Sequence, residues 1–170
     1  MSHALENLMY QVGQVFLLPT LMLIVALFIY AFYALGVFAA QSWQRRSSSM
    51  AQPHAKGYPL VAWARSRQPS DEELDVKAHK LLEIPRVVTR VAPMLGLVAT
   101  MIPMGAALEA LAGGDLRQVS SNLTIAFSAV ILALLAAAIT YWIVSVRKRW
   151  LAEELAWLAA ERAAAPGGRA

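Results

Sequence analysis

Two apolar stretches, residues 91–111 and 123–146, follow one another with only the loop 112–122 and its turn Ala112-Gly113-Gly114-Asp115 between them. Each meets the roughly 20 residues needed to cross a hydrocarbon core about 30 Å thick. Neither carries a charge at mid-membrane depth, yet each has a one-sided stripe of small and hydroxyl-bearing residues. Helices of this kind are built to approach other helices closely and to line something polar, which is more than an anchor requires.

A third span lies at 15–40, again without an internal charge. With 58% hydrophobic residues, the chain exceeds the roughly 45–50% apolar share of soluble domains. The expected fold is therefore all-α and integral to a membrane, with three transmembrane helices and cytoplasmic helical extensions. The first span reads as retained rather than cleaved, because no Lys or Arg precedes it and Tyr10 and Trp43 bracket it as interfacial anchors. Of the 15 Lys and Arg residues, all but Arg117 lie between Arg45 and Arg90 or from Arg147 onward. The positive-inside rule then places the N-terminus outside and the C-terminus in the cytoplasm. The net charge of +4 reflects this topology and contact with anionic lipid, so no nucleic-acid partner is expected. The chain has no cysteine, which excludes disulfides, thiolate metal sites and thiol redox chemistry.

Residues 1–14 form a short outer segment, with Pro19 and Thr20 expected in the first turns of span one, where proline costs little. The rest of that span (Phe28, Tyr30, Phe32, Tyr33, Phe38) is bulky and suits lipid contact. Residues 41–69 contain Ser47-Ser48-Ser49, Pro53, Gly57, Pro59 and Pro69 and read as an irregular cytoplasmic connector. Ser70-Asp-Glu-Glu73 is a capping box opening a cytoplasmic helix at 70–84, with Leu74, Ala78, Leu81 and Leu82 on one face and Pro85 expected to end or kink it. The tail 147–170 is expected to continue span three as a helix. Trp150, Leu151, Leu155 and Leu158 form its apolar stripe, Glu153, Glu154 and Glu161 are set off it, and Pro166-Gly-Gly stops it.

In span two, Pro93, Gly96, Thr100, Pro103 and Ala107 recur at steps of three and four and share one face. Thr100 is the only hydroxyl there, and Pro103 removes the donor that would occupy the Ala99 carbonyl beside it. In span three, Ser121, Thr124 and Ser128 share a face, while Ala126, Ala129, Ala133, Ala136 and Thr140 run about a quarter turn away. Two readings stand. The polar faces can line a water path, with Thr100, Ser128, Thr124, Ser121 and Pro103 as its residues. Alternatively, the hydroxyls bond back to their own helix and the stripes are simply seams. Gly96, Ala129, Ala133 and Ala136 are expected to serve helix packing in either case.

Glu109 lies near the outer boundary, on the side opposite Thr100, and His3, His54 and His79 fall outside the spans. No Asp, Glu, His, Lys or Arg within the membrane can relay a proton, so a proton path would need a titratable group from another chain. The loops hold no constellation of catalytic residues; no enzyme activity, cofactor or metal is expected.

The segment Arg90-Val-Ala-Pro-Met-Leu-Gly-Leu-Val-Ala-Thr-Met-Ile-Pro-Met, followed by Gly114-Asp-Leu, Asn122-Leu-Thr-Ile-Ala-Phe-Ser and Arg147-Lys-Arg-Trp, resembles the MotA/TolQ/ExbB proton channel family. The resemblance implies a homopentamer in a bacterial inner membrane whose second and third helices surround the single-span helices of an ExbD, TolR or MotB-like partner. A membrane Asp on that partner would exchange protons near the pore-lining hydroxyls, and the motion would power transport or mechanical work across the envelope. Thr100 matches a family functional position. The pattern differs at Ala129, where the family carries Thr, and at Thr124, where ExbB and TolQ carry an acidic residue. A non-conducting scaffold of the same architecture, holding a partner helix, is the alternative those differences suggest.

Overall fold

The computed structural model describes residues 2–48 and 57–164, with side chains from residue 11 onward. Pro53 and His54 of the connector, the stop at 166–168, and the side chains of His3 and Tyr10 lie outside the described residues. Four helices follow in order: α1 (Ser2–Ser47), α2 (Pro59–Arg67), α3 (Asp71–Ala112) and α4 (Leu116–Ala164). There is no strand among the described residues. Helices α1, α3 and α4 are each long and apolar enough to cross a membrane. At 46, 42 and 49 residues, they measure roughly 60–75 Å at 1.5 Å per residue, about twice a hydrocarbon core.

Three expected boundaries shift. Pro19 lies well inside α1, which already begins at Ser2. Pro85 neither ends nor interrupts α3, which runs from the capping box into the membrane span as one helix. A proline removes one intrahelical donor, and the many bonds of a 42-residue helix outweigh that single loss. The connector holds a helix, α2, rather than being irregular throughout. Pro59 supplies the φ of its first turn, and Leu60, Val61 and Ala64 bury one side of it.

The helix ends are set by local hydrogen bonds. The Glu73 N–H donates to Ser70 Oγ at 3.3 Å and the Ser70 N–H to Glu73 Oε2 at 3.0 Å, a reciprocal capping box. At the other end of α3, the Asp115 N–H reaches the Ala110 carbonyl (2.9 Å) and the Gly114 N–H the Leu111 carbonyl (3.1 Å). This is a Schellman closure, and it demands the left-handed φ of +77° found at Gly114. Asp115 Oδ1 then accepts from the N–H groups of Arg117 and Gln118 at 3.1 and 3.0 Å, capping α4. The Gly-Gly-Asp turn thus stops one span and starts the next.

Two compact units are present, one drawing on residues up to Phe32 and on Val88–Ile139, the other on Tyr33–Val87 and from Thr140 onward. The first is held by small side chains. Ile24, Ala99, Ala129 and Ala133 form one buried cluster, backed by Leu21, Leu95 and Leu132. Ala31, Ala92, Ala136 and Ala137 form another. Gly96 marks the closest approach, since a Cβ there would stand 2.9 Å from that of Ala133.

The second unit is more varied. Leu60, Val61, Ala64, Leu74, Ala78, Leu82, Leu151 and Leu158 form its core. Within it the Glu154 side chain is fully buried. Its carboxylate accepts from the backbone N–H groups of Leu60 (2.9 Å) and Val61 (3.3 Å) at the start of α2, and pairs with the Arg45 guanidinium. Arg45 Nε also donates to the Gly57 carbonyl at 2.8 Å, and the guanidinium lies over the Tyr58 and Trp150 rings. Burial lifts the Glu154 carboxyl above its ordinary range, against the opposing pull of Arg45 and the two N–H donors.

Two outcomes follow from these contacts. Gly96→Leu is expected to destabilise the chain by about 1–3 kcal/mol through overpacking. Gly36→Leu, at a position with nothing within 4 Å, should stay within about 0.5 kcal/mol. Denaturant titration in micelles compares them. Glu154→Ala or Arg45→Ala alone should each cost about 3–5 kcal/mol by stranding the buried partner charge. The double variant should cost clearly less than their sum, and a double-mutant cycle reads the difference.

Candidate functional site

The faces of α4 differ in burial. Ala126, Ala129, Ala133 and Ala136 are buried, as is Thr140. Ser121, Thr124 and Ser128 are exposed along the neighbouring face. The hydroxyl hydrogens of Thr124 and Ser128 turn back onto the helix, Thr124 Oγ1 to the Ser120 carbonyl and Ser128 Oγ to the Thr124 carbonyl, both at 2.8 Å. A hydroxyl engaged in this way keeps its lone pairs as acceptors. The face therefore offers a ladder of acceptor oxygens whose hydrogens can also be swung outward.

On α3 the small-residue stripe divides. Gly96, Pro103 and Ala107 are buried inside the protomer, Pro93 is half-buried, and Thr100 is only partly covered. Pro103 is thus covered within the chain itself. The same small profile that suggested close backbone approach draws it into the chain's own interior. Thr100 Oγ1 donates to the Leu97 carbonyl at 2.7 Å rather than resting on that of Ala99, so it too retains free acceptor capacity. Of the expected lining residues, Ser121, Thr124 and Ser128 lie on one exposed face of α4, while Thr100 stands on α3 at the edge of a buried stripe.

Among the described residues, the three spans contain one Asp, Glu, His, Lys or Arg, namely Glu109, which is exposed and four residues from the turn at Gly113. Chemically, the exposed face can solvate a proton carrier in either protonation state, because a hydroxyl both donates and accepts, but it cannot itself hold a proton. A carboxyl presented by another chain would complete such a site.

Arg45 and Glu154 were not singled out by the sequence reading, which set Glu154 off the apolar stripe of the tail. The signal was present. Leu151, Glu154 and Leu158 are spaced by three and four, so Glu154 belongs to the stripe itself. A carboxylate on the buried face of a helix requires a cation or a cluster of N–H donors opposite, and both are supplied here.

The comparisons with known proteins bear on this geometry. The family model described as the MotA/TolQ/ExbB proton channel family matches residues 66–159, which takes in all of α3 and nearly all of α4. No curated protein and no solved structure matches the chain. The matched segment is more than half of the 170 residues and contains Thr100 and the hydroxyl face of α4. The chain belongs to the MotA/TolQ/ExbB proton channel family.

Proposed function

We propose that this chain is the pore-forming subunit of a motor driven by the proton-motive force, acting as a homo-oligomer, a pentamer by family analogy, in a bacterial inner membrane. In this reading its N-terminus is outside and its C-terminus in the cytoplasm. The copies surround the membrane helices of a single-span ExbD, TolR or MotB-like partner, and proton flow through the assembly is coupled to mechanical work or transport across the envelope. The chain is not an enzyme in this reading, and it supplies no titratable group of its own to the pathway.

The observation that carries the proposal is the exposed hydroxyl face of α4. Its neighbour, the alanine face, is consumed by packing within the protomer. Ser121, Thr124 and Ser128 are left on the outside of a membrane helix, where polar side chains seek a polar environment or another chain. When a partner Asp is protonated, it donates to these oxygens. When it is ionised, it accepts from them and from accompanying water. Thr100 would serve the same carboxyl from α3.

Proton flux into liposomes containing the chain and its partner tests the assignment. Thr100→Ala, Thr100→Val and the double variant Thr124→Ala/Ser128→Ala are each expected to slow flux about 3–10-fold, the effect of losing one or two hydrogen bonds along the path. Unaltered flux in all three would remove these hydroxyls from the pathway. No flux with an intact partner would instead identify a non-conducting scaffold.

A further inference from the structure

The hydroxyl face of α4 does not run the length of its span. Ser121, Thr124 and Ser128 follow at steps of three and four, and the same steps continue through Ile131, Leu135 and Ala138. Ile131 and Leu135 are 56% and 48% exposed, so they lie on the outward face and not in the alanine seam. α3 is apolar at the same level, as the contacts between the two helices show. A Cβ on Gly96 would stand 2.9 Å from that of Ala133. Ala99 clusters with Ala129 and Ala133, and Ala92 with Ala136 and Ala137. Residues 91–99 of α3 therefore run beside 129–139 of α4 in the opposite direction, and neither stretch holds a polar side chain. Thr100 and Ser128 bound this layer on one side, and Arg90 is the first charge on α3 beyond the other. At 1.5 Å per residue the layer is about 10–15 Å thick.

We infer that this layer is a water-excluding barrier in the pore proposed above, on which the inference rests, and that Ile131 and Leu135 present it to the shared axis. A narrow passage walled by aliphatic side chains empties of water, because nothing there replaces the hydrogen bonds that water gives up. The hydroxyls can accompany a hydrated proton from the side of the Gly-Gly-Asp turn as far as Thr100 and Ser128. Beyond that level a bare charge would have to shed its hydration, which is prohibitive without a partner group. A protonated carboxyl is neutral and crosses at far lower cost. That carboxyl belongs to the partner and moves only with the partner's helix, so the dry layer is what ties proton passage to motion. Without it the assembly would leak and no work would be done.

Proton flux into liposomes, measured for the chain alone and together with its partner, tests the barrier. The unmodified chain alone should be proton-tight. Ile131→Thr and Leu135→Ser should each raise flux through the chain alone at least about 10-fold, the effect on a permeation barrier of one added group that hydrogen-bonds water. Leu134→Ser, 52% exposed but off this face, should leave the chain tight. An unmodified chain that leaks as fast as the variants would overturn the barrier. So would Ile131→Thr and Leu135→Ser variants that assemble and stay tight, or an equal leak in Leu134→Ser. If Leu135→Ser fails to assemble, the nearly isosteric Ile131→Thr decides. A failure of the pore itself reads differently: the unmodified chain then passes no protons even with its partner.

Discussion

In a bilayer, helices gain nothing by hiding apolar surface from one another, because lipid tails are equally apolar; they adhere only where backbones come close enough for dense van der Waals contact. In this chain that contact is made by alanine and one glycine. Ala99 and Ala92 on α3 meet Ala129, Ala133, Ala136 and Ala137 on α4, with Ile24 and Ala31 of α1 completing the clusters. Gly96 admits Ala133 where no side chain would fit. The face of α4 that carries the seam cannot also face a partner. The hydroxyls, a quarter turn away, are consequently presented outward. The packing of the protomer and the polarity of its outer face thus have one cause.

The second unit is held by different physics. Outside the spans water is available and apolar burial is favourable, so the core there is leucine-rich. Glu154, a fully buried carboxylate, lies against the first N–H groups of α2 and against Arg45. The positive end of a nine-residue helix is a natural place for a carboxylate. Arg45 in turn engages the Gly57 carbonyl and the Tyr58 and Trp150 rings, so one guanidinium ties α1, the start of α2 and α4 together within that unit.

Much of this could be read from residue spacing. The spans, the capping box at Ser70 and the distinction between the Ala129–Ala133–Ala136 face and the Thr124–Ser128 face depend on periodicity alone, which a helix obeys regardless of its neighbours. Reading failed where the rest of a long helix or a tertiary contact overrode a local tendency. Proline at 85 suggested an end or a kink, and α3 does not end there. The connector suggested irregular chain, yet Leu60 and Val61 find a core and α2 forms. Pro103 shared the face of Thr100, and only the position of the neighbouring helices shows that Pro103 is buried while Thr100 is only partly covered. Glu154 was legible in principle, but its partner Arg45 is 109 residues away, beyond anything local spacing reveals.

The chain has no cysteine, so single cysteines can be placed in the assembled, membrane-embedded protein and probed with a water-soluble thiol reagent without background. Thr124→Cys and Ser128→Cys are expected to react with the reagent and to be shielded when the partner is present, whereas Ala129→Cys and Ala133→Cys, inside the seam, stay inert. If positions 124 and 128 are as unreactive as the exposed apolar position 134 in Leu134→Cys, their side chains face acyl chains and no wet axis runs along this face.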